Sequence, residues 1–151
     1  MPAIENTVLD RLKVIFSQDY SAGFSGYDLS GAGSVVSGSI DLAPVIPCCC
    51  VVFVDTIIRT GRSMGFYQGD IRFQVVAYTG GSTLEDKVSN ALNLAADLSK
   101  AITSDRSLGL SGTIEDCGIS RTALSGEEIG VPGVGVALCA LTITFSNEFG
   151  V

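Results

Sequence analysis

Few side chains in this sequence have the type and spacing that enzyme chemistry needs. Histidine, the usual general base and a common metal ligand, does not occur among the 151 residues. A serine or cysteine nucleophile would therefore need a lysine or a carboxylate as its base, which is unusual. Neither a Gly-x-Ser-x-Gly turn nor a Walker-type phosphate loop occurs. Gly31-Ala32-Gly33 resembles the start of a dinucleotide fingerprint, but it lacks the third glycine and any strand–helix context.

The five cysteines are the remaining candidate nucleophiles: Cys48, Cys49, Cys50, Cys117 and Cys139. An odd number without a signal-peptide pattern argues against a disulfide framework. The three consecutive cysteines cannot all point to one side of a strand, and no Cys-x-x-Cys spacing exists for zinc. The sequence therefore predicts that the cysteines are small buried apolar residues. The alternative, an enzyme that uses Cys117 or Cys139, would need a thiol with a lowered pKa, and no activating base is visible.

Acidic side chains cluster near predicted turns at Asp116, beside Cys117, and at the pair Glu127-Glu128. A carboxylate pair can act in acid–base chemistry or bind a hard cation, but solvated turn residues are far more common. We predict no catalytic, cofactor-binding or metal-binding residues, and we expect that the protein is not an enzyme.

The composition limits the classes of partner. The formal charge is −7, from 16 acidic and 9 basic residues, which argues against coating nucleic acid. Hydrophobic residues make up 46% and charged residues only 17%, which indicates apolar surface facing partner subunits, although a bulky core would give the same values.

No run reaches the roughly 20 apolar residues that span a bilayer. Glu5 and Asp10 lie where a signal peptide would be basic or apolar, so we expect a protein made and used in a cytoplasm.

The first part of the chain passes from a predicted helix to a segment rich in glycine and serine. Apolar residues at helical spacing predict a helix over residues 2–16. Eleven of the twenty residues in 21–40 are then glycine or serine, which is too little apolar surface to order a loop by itself. We interpret residues 18–46 as an extended arm or loop that orders against a neighbouring subunit.

The remaining sequence predicts four strands and one long helix. Residues 49–59 and 70–78 predict an antiparallel hairpin, and residues 113–122 and 134–145 predict two further strands. A helix of about twenty residues starts at the capping box Ser82-Thr83-Leu84-Glu85. The fold class is therefore α+β: a single domain, 1–151, with one mostly antiparallel sheet of about four strands and both helices on one face.

The long helix has an apolar stripe and a polar face. The stripe includes Leu84, Leu92 and Leu98, whereas Asp97 and Lys100 belong to the face that we expect to contact water. Because its alanines are small, we expect this helix to pack closely on the sheet.

Two passages resemble a known family. The segment Asp70-Ile71-Arg72-Phe73-Gln74-Val75-Val76-Ala77-Tyr78, followed by Ser82-Thr83-Leu84-Glu85-Asp86-Lys87-Val88 and Ala91-Leu92, resembles the strand-into-helix passage of the tail terminator and tail completion (head–tail joining) proteins of long-tailed bacteriophages. Leu108-Gly109-Leu110-Ser111-Gly112 and Ala140-Leu141-Thr142-Ile143-Thr144-Phe145 are similar to the last two strands of that family. The likeness in element order covers residues 4–145, and the likeness in sequence covers 49–145.

This resemblance implies a non-enzymatic virion protein without a cofactor, assembled in the host cytoplasm. It implies a homo-hexameric ring that caps the finished tail tube, stops its polymerisation and binds the head connector. DNA would pass through the ring without specific binding, and no membrane would be involved. Two alternatives remain open: another neck or tail subunit, such as a head completion or tail tube protein, and a small cytosolic cysteine-dependent enzyme.

Overall fold

The computed structural model of the chain describes residues 3–31, 33–38, 47–60, 66–104, 106–110, 114–125 and 134–148. The elements in chain order are α1 (Ile4–Phe16), β1 (Val35–Ser37), β2 (Cys48–Thr60), β3 (Phe66–Thr79), α2 (Leu84–Thr103), β4 (Ile114–Ser125) and β5 (Gly135–Glu148). The class is α+β, with two helices and one mixed sheet, as the sequence predicted in outline.

The sheet has five strands in the order β1-β2-β3-β5-β4. Four of them pair antiparallel to one another, but β1 pairs parallel to β2, with Val35 opposite Cys49 and Ser37 opposite Val51. The prediction of about four antiparallel strands is therefore incomplete. The added strand lies inside the segment predicted as an arm, where the β-branched pair Val35-Val36 finds a partner about fourteen residues further along the chain.

Both helices pack against the same face of the sheet. Helix α1 contributes Val8, Leu12, Ile15 and Phe16 to this core and contacts β1 and β2, whereas α2 contacts β3, β4 and β5. The strand residues of this core alternate along each strand, as a half-buried sheet requires. They are Cys49 and Val51 in β2, Ile71, Phe73, Val75 and Ala77 in β3, Ile114 and Cys117 on either side of a bulge in β4, and Ala137, Cys139, Leu141, Ile143 and Phe145 in β5.

The opposite face of the sheet carries a second, smaller cluster at one end of the strands. It comprises Cys48, Cys50, Val76, Tyr78, Val134 and Val136. The cysteine triplet therefore divides between two cores, with Cys49 on the helix side and its two neighbours on the other side. All five cysteines are buried, which confirms the prediction made from their type.

Helix α2 begins one residue later than the predicted capping box. Its N-cap is Thr83, whose Oγ1 accepts a hydrogen bond from the Asp86 amide at 3.1 Å. Ser82 instead donates its hydroxyl to the Asp86 carboxylate at 2.9 Å. The box shifts because the next register also places a hydroxyl three residues before a carboxylate.

Neither helix of the described ranges has the length and apolar content needed to cross a lipid bilayer.

Part of the predicted arm folds onto its own subunit. Backbone bonds join Tyr20 N to Tyr27 O at 2.8 Å and Leu29 N to Gln18 O at 2.9 Å, so residues 18–29 form a small hairpin-like loop. Leu29 is fully buried and Tyr20 nearly so. Of the predicted extended arm or loop, this part is a loop that packs on its own subunit, because buried side chains anchor the glycine-rich backbone. Residues 39–46 of the predicted arm lie outside the described residues.

Candidate interaction surface

The residues singled out for possible chemistry do not come together. Cys117 is 2% exposed, and burial, followed by the charge of Asp116, raises the pKa of its thiol to about 11. Asp116 forms an exposed ion pair with Arg106, at 2.7 Å between Nε and Oδ1. Cys139 is fully buried in the helix-side core. Burial and the charge of Asp116 therefore oppose formation of a thiolate at Cys117, and the nearby Arg106 offsets them only in part.

The other polar candidates give no site. Glu127 and Glu128 lie outside the described residues, as does Ala32 of the glycine pair at 31–33. Within the part of the chain that the structure describes, no three cysteine or carboxylate side chains lie close enough to hold a metal ion together.

One buried carboxylate was predicted on the wrong face. Asp97 is only 3% exposed, and its oxygens accept hydrogen bonds from the Phe24 amide at 2.8 Å and from the Ser25 amide and hydroxyl. A cavity of about 240 Å³ lies beside it, lined by the 18–23 segment and the last turns of α2. Because three donors already bind this carboxylate, its arrangement is that of a structural anchor for the loop.

The most distinctive surface is a row of large apolar side chains in β2. Phe53, Val54, Ile57 and Ile58 are 47%, 51%, 46% and 59% exposed, respectively, and we call them the β2 ridge. Exposed apolar residues are ordinary when scattered singly, but four within six positions of one strand form a patch.

On the helix side of the sheet the ridge is exposed because the strands are longer than the helices that cover them, whereas Ile57 points to the opposite side, where neither helix packs. Fourteen residues of β3 extend about 46 Å, whereas the twenty residues of α2 extend about 30 Å. Helix α2 starts at the opposite end of the sheet, where the Thr79 hydroxyl donates to the Lys87 carbonyl at 3.0 Å. At the ridge end, the Thr56 hydroxyl donates to Glu5 of α1 at 2.9 Å. Past Thr56, no described helix continues over β2.

A β-bulge gives the ridge its shape. The register between β2 and β3 shifts between Phe53 and Asp55, so Val54 is an extra residue. Before the bulge, Phe53 packs edge-on against Phe73, with ring centroids 5.8 Å apart. After it, Asp55 forms a bidentate ion pair with Arg72, which holds the pKa of the Asp55 carboxyl below its usual value. The ridge therefore wraps around the edge of β2 and does not lie on one face.

The edge beside the ridge is open. Strand β1 pairs with β2 only at residues 49–51, so among the described residues no strand covers β2 from Val52 onward. Strand β4 is the last strand on the other side of the sheet and also has one edge without a described partner. The nearly continuous apolar run of β2 carries no sequence signal for the position along the strand at which it becomes exposed.

Comparison with known proteins leaves the family unassigned. A scan against models of protein families gives no match, and a search of curated proteins gives none either.

Proposed function

We propose that the protein is a structural subunit of a bacteriophage virion. In this proposal it forms a ring at the head–tail junction that terminates tail tube polymerisation and joins the tail to the head connector. The observation that carries the proposal is the β2 ridge beside an open strand edge. The resemblance of residues 49–145 to tail terminator and tail completion proteins supplies the particular assembly.

The ridge favours burial against another protein. Completely burying an aliphatic or aromatic side chain stabilises by about 1.5–3 kcal/mol, so four half-exposed ones together contribute about 4 kcal/mol when covered. An open edge adds backbone hydrogen bonds that only another strand can satisfy in regular order. A subunit that assembles uses both features, whereas the described residues of a single subunit leave both uncovered.

The charge and the cysteines support the same proposal. A net charge of −7 suits a ring through which DNA passes without being held, because phosphate binding needs clustered basic residues. The buried Cys117 thiol with its raised pKa is a poor nucleophile, which weakens the alternative of a cysteine-dependent enzyme.

Light scattering after size-exclusion chromatography tests the proposal, with the protein alone and mixed with tail tube protein. We expect a discrete oligomer in at least one of these samples and rings in electron micrographs. Long tubes of the protein alone would instead indicate a tail tube subunit. A monomer at high concentration in both samples would contradict the proposal.

A matched pair of variants links the oligomer to the ridge. Ile57→Thr combined with Ile58→Thr keeps β-branched side chains in β2 but removes apolar area, and we expect loss of the oligomer. Val14→Thr makes a similar change at a 60% exposed site on α1 and should leave the oligomer intact.

A further inference from the structure

We propose that a second copy of this chain covers the open edge of β2, and that it does so with the outer edge of its β4. This inference rests on the proposed ring, and it names the two surfaces that join neighbouring subunits. The sheet of one subunit would then continue into the sheet of the next, with the β2 ridge at the junction.

The two open edges lie at the same height in the sheet. Ile57 pairs with Asp70, Asp70 with Thr144, and Thr144 with Asp116, so Ile57 and Asp116 occupy one row. Four rows further up the strands, the same registers place β2 Val52 level with β4 Ser120. The open segment 52–58 of β2 is therefore level with residues 114–120 of β4.

The strand directions also match. Strand β2 is antiparallel to β3, β3 to β5, and β5 to β4, so β4 runs antiparallel to β2. Rotation about an axis along the strands preserves each strand's direction and height. It therefore brings β4 of one subunit beside β2 of the next in antiparallel pairing, with the two open segments level. Such a head-to-tail contact closes into a ring when the rotation angle allows it.

The side chains on the two edges match in character on the helix side of the sheet. With the two open segments level, Phe53 of the β2 ridge lies opposite Ile119 of β4, and Ile58 lies opposite Ile114. Apolar ridge residues would thus meet apolar residues of the neighbouring subunit. Pairing of two β2 edges about a two-fold axis would instead place ridge against ridge and leave both β4 edges open.

Bulges limit the length of the shared ladder. One lies at Val54 in β2 and one between Ile114 and Asp116 in β4, and bulges commonly protect sheet edges from pairing. They lie at different heights, so three uninterrupted rows remain between them, from Asp55 level with Gly118 to Ile57 level with Asp116.

Cross-linking tests the pairing directly. The double variant Ile57→Cys/Asp116→Cys, treated with a short bismaleimide under assembly conditions, should give a ladder of covalent multimers ending at the ring size. Wild type, whose five cysteines are buried, and each single variant should stay monomeric on denaturing gels. A covalent dimer from Ile57→Cys alone would establish β2–β2 contact and overturn the inference. Rings without cross-links in the double variant would overturn it while leaving the proposed function standing.

A second pair of variants gives an independent readout. Gly118→Glu places a negative charge on the β4 edge, level with the like charge of Asp55 in the neighbouring subunit, and should raise the concentration needed for half-assembly by at least about tenfold. Thr142→Glu adds the same charge in the same row and on the same exposed face, but in the interior strand β5, and should assemble like wild type. Equal assembly of both variants, with unchanged melting temperatures, would overturn the inference.

Discussion

Asp97, in α2, accepts two hydrogen bonds from Ser25, one from the backbone amide at 2.8 Å and one from the hydroxyl at 2.5 Å. A third comes from the Phe24 amide at 2.8 Å. These bonds join residues more than seventy positions apart and hold the turn of the 18–29 loop against the helix. The loop therefore depends on one carboxylate that the sequence pattern assigns to the solvent side.

Replacing that carboxylate should destabilise the protein measurably. Asp97→Ala leaves the part-buried donors of Phe24 and Ser25 without their acceptor, and we expect the free energy of unfolding to fall by about 1–3 kcal/mol. Chemical denaturation measures it, with the exposed Lys100→Ala as the control on the same helix. Wild-type stability in Asp97→Ala would show that the loop is held by its other contacts.

Gly23 should not tolerate even one added carbon. A Cβ at this position would lie 2.4 Å from Asp97 Oδ1, so the loop or the helix must shift. We expect Gly23→Ala to lower the free energy of unfolding by about 1–3 kcal/mol. Gly118→Ala, where the added carbon meets nothing, should be neutral or slightly stabilising. Thermal melts of the two variants compare them directly.

Leu29 tests whether the loop belongs to the folded body of the subunit. The side chain is fully buried among core residues, so Leu29→Ala should cost about 2–4 kcal/mol. Phe24 in the same loop is 64% exposed, and we expect Phe24→Ala to change stability by less than about 0.5 kcal/mol. Equal, small effects at both positions would mean that the loop separates from the core in solution.

The cysteines should be unreactive in the native protein. Cys117 is nearly inaccessible and its pKa is raised to about 11, so its thiolate fraction at neutral pH is very small. We expect no fast labelling by a thiol reagent at pH 7 and labelling of all five cysteines after denaturation. Rapid reaction of one native cysteine would revive the alternative of a cysteine-dependent enzyme.

Because the pKa of the Cys117 thiol is raised, we expect the free energy of unfolding to decrease at alkaline pH. The unfolded Cys117 releases its proton near its ordinary pKa, whereas the folded thiol holds it to about pH 11. The folded state binds more protons in this window, so stability falls as the pH rises from about 9 to 11, by up to about 2 kcal/mol. Cys117→Ala should show a shallower decline over this window in denaturation series at fixed pH. An identical decline in both proteins would assign it to other groups.

Regular periodicity explains what the sequence could predict. The apolar stripe of α2 and the alternation in β3 report local geometry, and both elements lie where the patterns placed them, with the cap displaced by one residue. Strand β1 was not predicted because three residues are too few to show an alternating apolar pattern. Its pairing with β2 is a tertiary contact, which a local sequence pattern does not report.

The incorrect predictions of side-chain exposure have a different origin. Asp97 follows the polar period of α2 but is buried by amides from a distant loop, whereas Leu84 and Leu92 follow the apolar period and are 56% and 41% exposed. The β2 ridge likewise belongs to an apolar run that is typical of a buried strand, but its side chains are exposed. In each case the period gives the orientation of a side chain, but contacts with distant parts of the chain decide whether anything covers it.

The cysteine triplet leaves β2 with little internal information about its alignment. In a strand that reads Cys-Cys-Cys-Val-Val-Phe-Val-Asp-Thr-Ile-Ile, a slip of one residue puts an identical residue type at Cys49, Cys50, Val52 and Ile58. Such a slip would exchange the contents of the two cores at almost no compositional penalty. The correct alignment must therefore be selected at the bulge, by the contacts of Phe53 and Asp55. Changes at those two residues should reduce the yield of correctly aligned protein more than the stability of the molecules that align.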